Sequence, residues 1–150
     1  MFKWIDLPPI WLLLFCLASW QVEQLDPWAL SFGGSWADFV AGLLIGGGIV
    51  LMLLAVVEMR KWRTTVIPHR EAGHLVESGI FKRSRNPIYL GDVLVLAGVI
   101  FRLDAPLALP LVPLLLWWLE RHFVIPEEDR LRRKFRAEFA RYCEKTRRWV

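Results

Sequence analysis

Nineteen consecutive residues, Phe39 to Val57, carry no charge. A helix of that length, rising about 1.5 Å per residue, spans a hydrocarbon core of roughly 30 Å. A chain of 150 residues would otherwise suit one soluble domain. Here the apolar residues, 55% of the total, come in blocks, and the mean hydropathy is +0.37. The chain therefore reads as an integral membrane protein.

Four blocks stand out as spans, at about 7–25, 36–59, 87–101 and 105–125. The first resembles a signal peptide, because Lys3 precedes the run Ile10 to Trp20. Gln21-Val22-Glu23-Gln24, however, is the wrong chemistry for signal cleavage, so it reads as a retained helix. The third and fourth are short, with a tight turn at Arg102 and Asp104, and suit a tilted or incompletely spanning hairpin. Gly42, Gly46, Gly47 and Gly48 give the second span a small-residue face for close helix packing. With no strand–glycine–helix context they are not a phosphate loop, and a Rossmann-type nucleotide fold is excluded.

Charge orients these spans. Of 19 Lys and Arg residues, seven fall between Arg60 and Arg85 and nine between Arg130 and Arg148, whereas the Gln21–Asp38 connection has none. Such clusters in a soluble protein suggest nucleic acid; beside membrane spans the positive-inside rule and anionic headgroups account for them, and no nucleic-acid partner is expected. Both termini and the 60–86 loop are then cytoplasmic. Cys16 and Cys143 lie too far apart in this arrangement to pair. After Pro126, Leu131, Phe135, Phe139 and Tyr142 recur at helical spacing, predicting an amphipathic helix whose basic face lies toward lipid phosphates. Glu127, Glu128 and Asp129 would oppose the positive end of its dipole. The fold class is thus all-α integral membrane, with about four transmembrane helices plus a C-terminal amphipathic cytoplasmic helix.

The chemistry concentrates in Arg85-Asn86-Pro87-Ile88-Tyr89-Leu90-Gly91, at the mouth of the third span. Pro87 suits the first helical position, and Asn86 would cap the helix. Arg85 and the free N–H groups then suit a carboxylate, and Gly91 permits close approach of backbone or ligand. Glu127-Glu128, 36 residues beyond that glycine, could bind an ammonium or a ribose hydroxyl. An anion-binding half and a cation-binding half at one membrane level suit a zwitterion. Asp92 and Glu120 lie within apolar spans, where a carboxylate is a functional candidate, although a pairing with Arg102 or Arg121 is an equally simple account. His69, His74 and His122 have no metal-ligand spacing.

Leu75-Val76-Glu77-Ser78-Gly79-Ile80-Phe81, the Arg85–Gly91 motif, and Glu127-Glu128 followed by Leu131, Phe135, Tyr142 and Trp149 resemble the isoprenylcysteine carboxyl methyltransferase and phospholipid methyltransferase superfamily. Asn86 stands where the eukaryotic carboxyl methyltransferases carry His, and Phe81 where they often carry Tyr. The resemblance implies an S-adenosylmethionine-dependent membrane methyltransferase without a metal, in a bacterial inner membrane, its cofactor-binding part at about 64–150. It implies that His74, Leu75, Val76, Arg85, Asn86, Pro87, Tyr89, Gly91, Glu127 and Glu128 line or support the cofactor site. Arg85 is then the candidate to orient an anionic acceptor, with Arg147 or Arg148 as alternatives, and Glu128 the candidate base for an amine. The acceptor would be lipophilic or small, a carboxylate, thiol or amine. Competing readings are a nicotinamide-dependent membrane reductase of related fold and a non-enzymatic membrane anchor.

Overall fold

The computed structural model describes residues 8–62 and 75–149. His69 and His74 lie outside them. Among the described residues there are helices and turns and no strand. Helix α1 covers Pro8–Leu25, α2 Trp36–Lys61 and α3 Pro87–Arg102. Next come α4, Leu111–Leu119, a π-helical turn, Glu120–Val124, and α5, Ile125–Phe135; last is α6, Ala137–Lys145. Among the described residues two segments are long and apolar enough to cross a membrane, Trp36–Lys61 and the continuous Pro106–Phe135.

Helices α2 and α3 form the closest pair and run antiparallel. A Cβ added at Gly48 would lie 2.6 Å from the Gly91 carbonyl oxygen, and one at Gly98 would lie 2.9 Å from the Ala41 carbonyl oxygen. Where lipid is as apolar as leucine, such backbone approach is what holds helices together. Gly91 thus spends its missing side chain on α2. At one end of the pair Arg102 reaches Asp38 at 3.5 Å. At the other, Ser78 bonds Glu58 at 2.6 Å. Arg60 and Lys61 close α2 at this second end, where Arg85 and Arg148 meet α5.

The apolar face of α3, Tyr89, Val93, Leu96 and Ile100, packs with Leu115, Leu119 and Phe123 of the returning segment. On the opposite end, the Ser31 hydroxyl and the Phe32 N–H donate to Asp104 at 2.6 and 2.7 Å, fixing the α1–α2 connection to the α3–α4 turn.

Two expectations about the C-terminal part need correction. Pro126 does not begin a separate helix. Dihedrals stay right-handed from Leu119 through Ile125, and the chain runs from α4 into α5 without a break. A proline ring clashes with the carbonyl four residues back, and the wider π turn just before it makes room for the ring. Glu127 and Glu128 therefore sit inside a continuous helix, not at an exposed positive dipole end. Nor is the amphipathic segment one helix on a lipid surface. It breaks at Arg136, with φ 46°, a conformation costing a non-glycine residue about 1–3 kcal/mol. Beyond the break Phe139 and Tyr142 are buried against Val76, Phe81 and Ala55. The stripe serves the protein core.

Gly48→Leu is expected to cost at least about 1–3 kcal/mol by overpacking against α3, lowering the thermal midpoint in detergent. Gly46→Leu, where an added Cβ meets nothing within 4 Å, should leave that midpoint in place. The two donors hold the Asp104 carboxyl below its ordinary range. Its contribution is thus complete above the unfolded value and lost as pH falls through the depressed folded one. Protection of the Phe32 amide from hydrogen exchange should fall over that acidic window, and should be lost across the pH range in Asp104→Ala, which has no acceptor.

Candidate active site

The Arg85–Pro87 segment is shaped by its own side chains. The Asn86 N–H donates to the Ser84 hydroxyl at 3.1 Å, and the Asn86 carbonyl accepts the Leu90 N–H at 3.0 Å. Pro87 takes the first helical position, where its missing N–H would be unpaired anyway. The Asn86 side chain does not cap the helix, contrary to the expectation. It turns to the C-terminal tail and donates to the Arg148 carbonyl at 3.0 Å. The tail lies along this segment: the Arg85 N–H donates to the Arg147 carbonyl at 3.1 Å, and the Thr146 hydroxyl to the Lys82 carbonyl at 3.3 Å. Tyr142 ties α6 to the same place through the Phe81 carbonyl at 2.7 Å. Burial pushes that phenol above its ordinary value.

Helix α5 brings in the glutamates. The Tyr89 hydroxyl donates to Glu127 at 3.1 Å. Glu128 is buried, and Arg148 grips it with two hydrogen bonds, Nε to Oε2 at 2.9 Å and Nη2 to Oε1 at 2.8 Å. Arg148 Nη1 also donates to Glu120 at 2.8 Å. Those hydrogen bonds, from Glu128 first, hold the Arg148 guanidinium above its ordinary pKa. Arg85 lies 3.5 Å from Glu128 and donates to the Cys143 sulfur at 2.9 Å, while its Nε is buried without a hydrogen-bond partner.

The structure thus brings Arg85, Asn86, Tyr89, Glu127 and Glu128 together. Arg85, Asn86, Glu127 and Glu128 line one cavity of ≈ 30 Å³ with Leu131, Phe139 and Tyr142. Pro87 supports the motif from the start of α3. Leu75 and Val76 pack beneath α6 with Phe81, and Gly91 faces α2. For Glu120 the sequence left a functional role and a pairing with Arg102 or Arg121 equally open; its partner is Arg148, and Arg102 goes to Asp38. The double hold of Arg148 on Glu120 and Glu128 had no local signal, since Arg148 is one of nine basic residues in that stretch.

Each charge in this cluster leans on another. Glu128→Ala and Arg148→Ala should therefore be non-additive in unfolding experiments in mixed micelles, with a coupling of about 0.5–3 kcal/mol; additive losses would mean the pair is idle.

The sequence model of the phospholipid methyltransferase family matches residues 36–138. No curated protein and no solved structure matches the chain. That match covers more than half of the 150 residues and takes in α2, α3, the Arg85–Gly91 motif and Glu127-Glu128. The chain belongs to the phospholipid methyltransferase family, within the superfamily that includes the isoprenylcysteine carboxyl methyltransferases, and is a membrane methyltransferase.

Proposed function

We propose that the methyl donor is S-adenosylmethionine, held at the shared end of α3 and α5, and that the acceptor is a lipophilic or small molecule reaching the same point from between the helices. One observation carries this reading: Arg85, whose buried Nε has no hydrogen-bond partner, lines one cavity with Glu127, Glu128 and the aromatic pair Phe139 and Tyr142. A donor with a spare N–H, two carboxylates and an apolar wall match a carboxylate, an ammonium and an adenine ring in kind.

In this reading the cofactor-binding part is about 64–150. Arg85 and Asn86 take the amino-acid carboxylate, and Glu127 and Glu128 take its ammonium or the ribose hydroxyls. Leu75 and Val76, with His74, cover the adenosine, while Pro87, Tyr89 and Gly91 fix the geometry. When bound, S-adenosylmethionine supplies a methyl group on a positive sulfur. The residues supply orientation and exclude water, which is most of what such a transfer needs. Arg85 is the candidate to orient an anionic acceptor, and Glu128 the candidate to accept a proton. Four spans, with motif and tail on the cytoplasmic side, complete the proposed arrangement.

A cavity of ≈ 30 Å³ is far below the roughly 300 Å³ at which ligand pockets begin. Arg148 occupies the carboxylate assigned to the ammonium, so the tail must withdraw as the ligand enters. Calorimetry with S-adenosylhomocysteine on the detergent-purified protein should give saturable binding. Loss of a charge-assisted hydrogen bond in Glu127→Ala should weaken it about tenfold or more. Arg148→Ala, which removes the internal competitor, should tighten it. A folded protein that binds no S-adenosylhomocysteine would refute the donor assignment.

A further inference from the structure

Arg148 divides its donors unequally. Nε and Nη2 close on the two oxygens of Glu128, while Nη1 reaches Oε1 of Glu120 at 2.8 Å. Trp149 donates to that same Oε1 at 3.4 Å, and no hydrogen bond among the described residues goes to Oε2. One oxygen of Glu120 is thus left over for the guanidinium it already touches. Glu120 also lies on the wetter side of that guanidinium, its side chain 27% exposed against 8% for Glu128. The two carboxylates are eight residues apart, and in a straight α-helix they would point about 80° away from each other. The π turn at Glu120–Val124 brings both to one cation.

Charge balance gives the second carboxylate a task. Arg85 lies 3.5 Å from Glu128, so two cations, Arg85 and Arg148, face two carboxylates, Glu128 and Glu120. An amino-acid group brings one further charge of each sign. With its carboxylate on Arg85 and its ammonium on Glu128, Arg148 loses both of its bonds to Glu128. It would then stand as a bare, partly buried cation beside an ammonium, where like charges repel and the missing partner is costly. Glu120 removes that penalty. A short rotation puts two N–H groups of Arg148 on its two oxygens, the fork pairing that suits guanidinium and carboxylate. The backbone of the tail can stay where it is. Its bonds to Asn86, Arg85 and Lys82 use the carbonyls of Arg148 and Arg147 and the Thr146 hydroxyl, not the guanidinium. The withdrawal that ligand entry requires is then confined to one side chain.

We propose that Glu120 is a positioning residue for the methyl donor: it receives Arg148 when the donor's ammonium takes Glu128, and itself touches neither donor nor acceptor. This rests on the donor site proposed above. Arg148 works in two positions, closed on Glu128 when the site is empty and paired with Glu120 when it is filled. Every charge has a partner in both.

The test is calorimetry with S-adenosylhomocysteine on the detergent-purified whole protein, with a thermal midpoint to show that each variant is folded. Glu120→Gln should weaken binding about tenfold or more, the value of a charge-assisted hydrogen bond, because it strands Arg148. Arg148→Ala should instead tighten binding. In the Arg148→Ala background, Glu120→Gln should change affinity by less than about twofold, since no cation is left to receive. Arg148→Gln takes the place of Arg148→Ala if the shorter side chain fails to fold. The opposite signs separate this role from a structural one, because a pair that only held the tail in place would weaken binding in both single variants. That shared loss, unchanged affinity in Glu120→Gln, or the same loss with and without Arg148 would each overturn the proposal; the last would put Glu120 on the ligand itself. No binding in folded wild type would strike the donor assignment, and this inference with it, so the two failures are told apart.

Discussion

Glu128 is the joint on which the functional end of this protein turns. Its carboxylate is buried, and an isolated charge there would be prohibitive. It is held by two guanidiniums that arrive from opposite directions in the chain. Arg85 comes from the entrance to α3, and Arg148 from the tail beyond α6. Arg148 spans Glu128 and Glu120 at once, so the three segments fit together in one register or leave the buried Glu128 charge short of a partner. An ion pair of this kind adds little net stability over apolar packing, yet breaking one side of it is expensive. Its contribution is to specify where the tail and the Arg85–Pro87 segment meet α5.

That joint depends on a helix whose continuity is invisible in residue patterns. Pro126 ordinarily marks a helix start, and the acidic residues behind it fit that reading. In the structure the π turn at Glu120–Val124 absorbs the proline, and α4 passes straight into α5. The extra residue in the turn also brings Glu120 round to share Arg148 with Glu128. No periodicity in Glu120–Glu128 announces this, because one inserted residue shifts every later side chain by about 100°. The apolar spans were legible for the opposite reason: their signal is a sum over many residues, and the ends of α2 and α3 fall within two residues of where hydropathy and charge put them. Gly48 and Gly91 were each legible as sites of close approach; that they approach each other was not.

In the candidate site, the residues could be named from the Arg-Asn-Pro motif and the glutamate pair, but their relations could not. An anion-binding half and a cation-binding half were expected to face a zwitterion. Instead Arg85 faces Glu128 directly, and Arg148 satisfies what Arg85 does not. The same complementarity that suits a zwitterionic ligand lets the halves satisfy each other without one. Contacts of 58 to 64 residues in sequence separation bind the motif to α6 and the tail, and such partners leave no local trace. The family match ends at residue 138, so Tyr142, Cys143 and Arg148 act from outside the matched region.

The depth of these charges follows from helix length. Helix α3 has 16 residues, or about 24 Å at 1.5 Å per residue, short of a hydrocarbon core of roughly 30 Å. A short span is accommodated by thinning the bilayer or drawing its ends inward. With α3 as one of the proposed spans, either response would bring Arg85, Asn86 and the glutamates close to the acyl chains while leaving them reachable from water. A full-length span would lift the same cluster away from lipid and leave a bilayer-borne acceptor a turn or more too deep. In the proposed arrangement, a short third helix is the feature that would let a water-soluble donor and a lipophilic acceptor meet at one point.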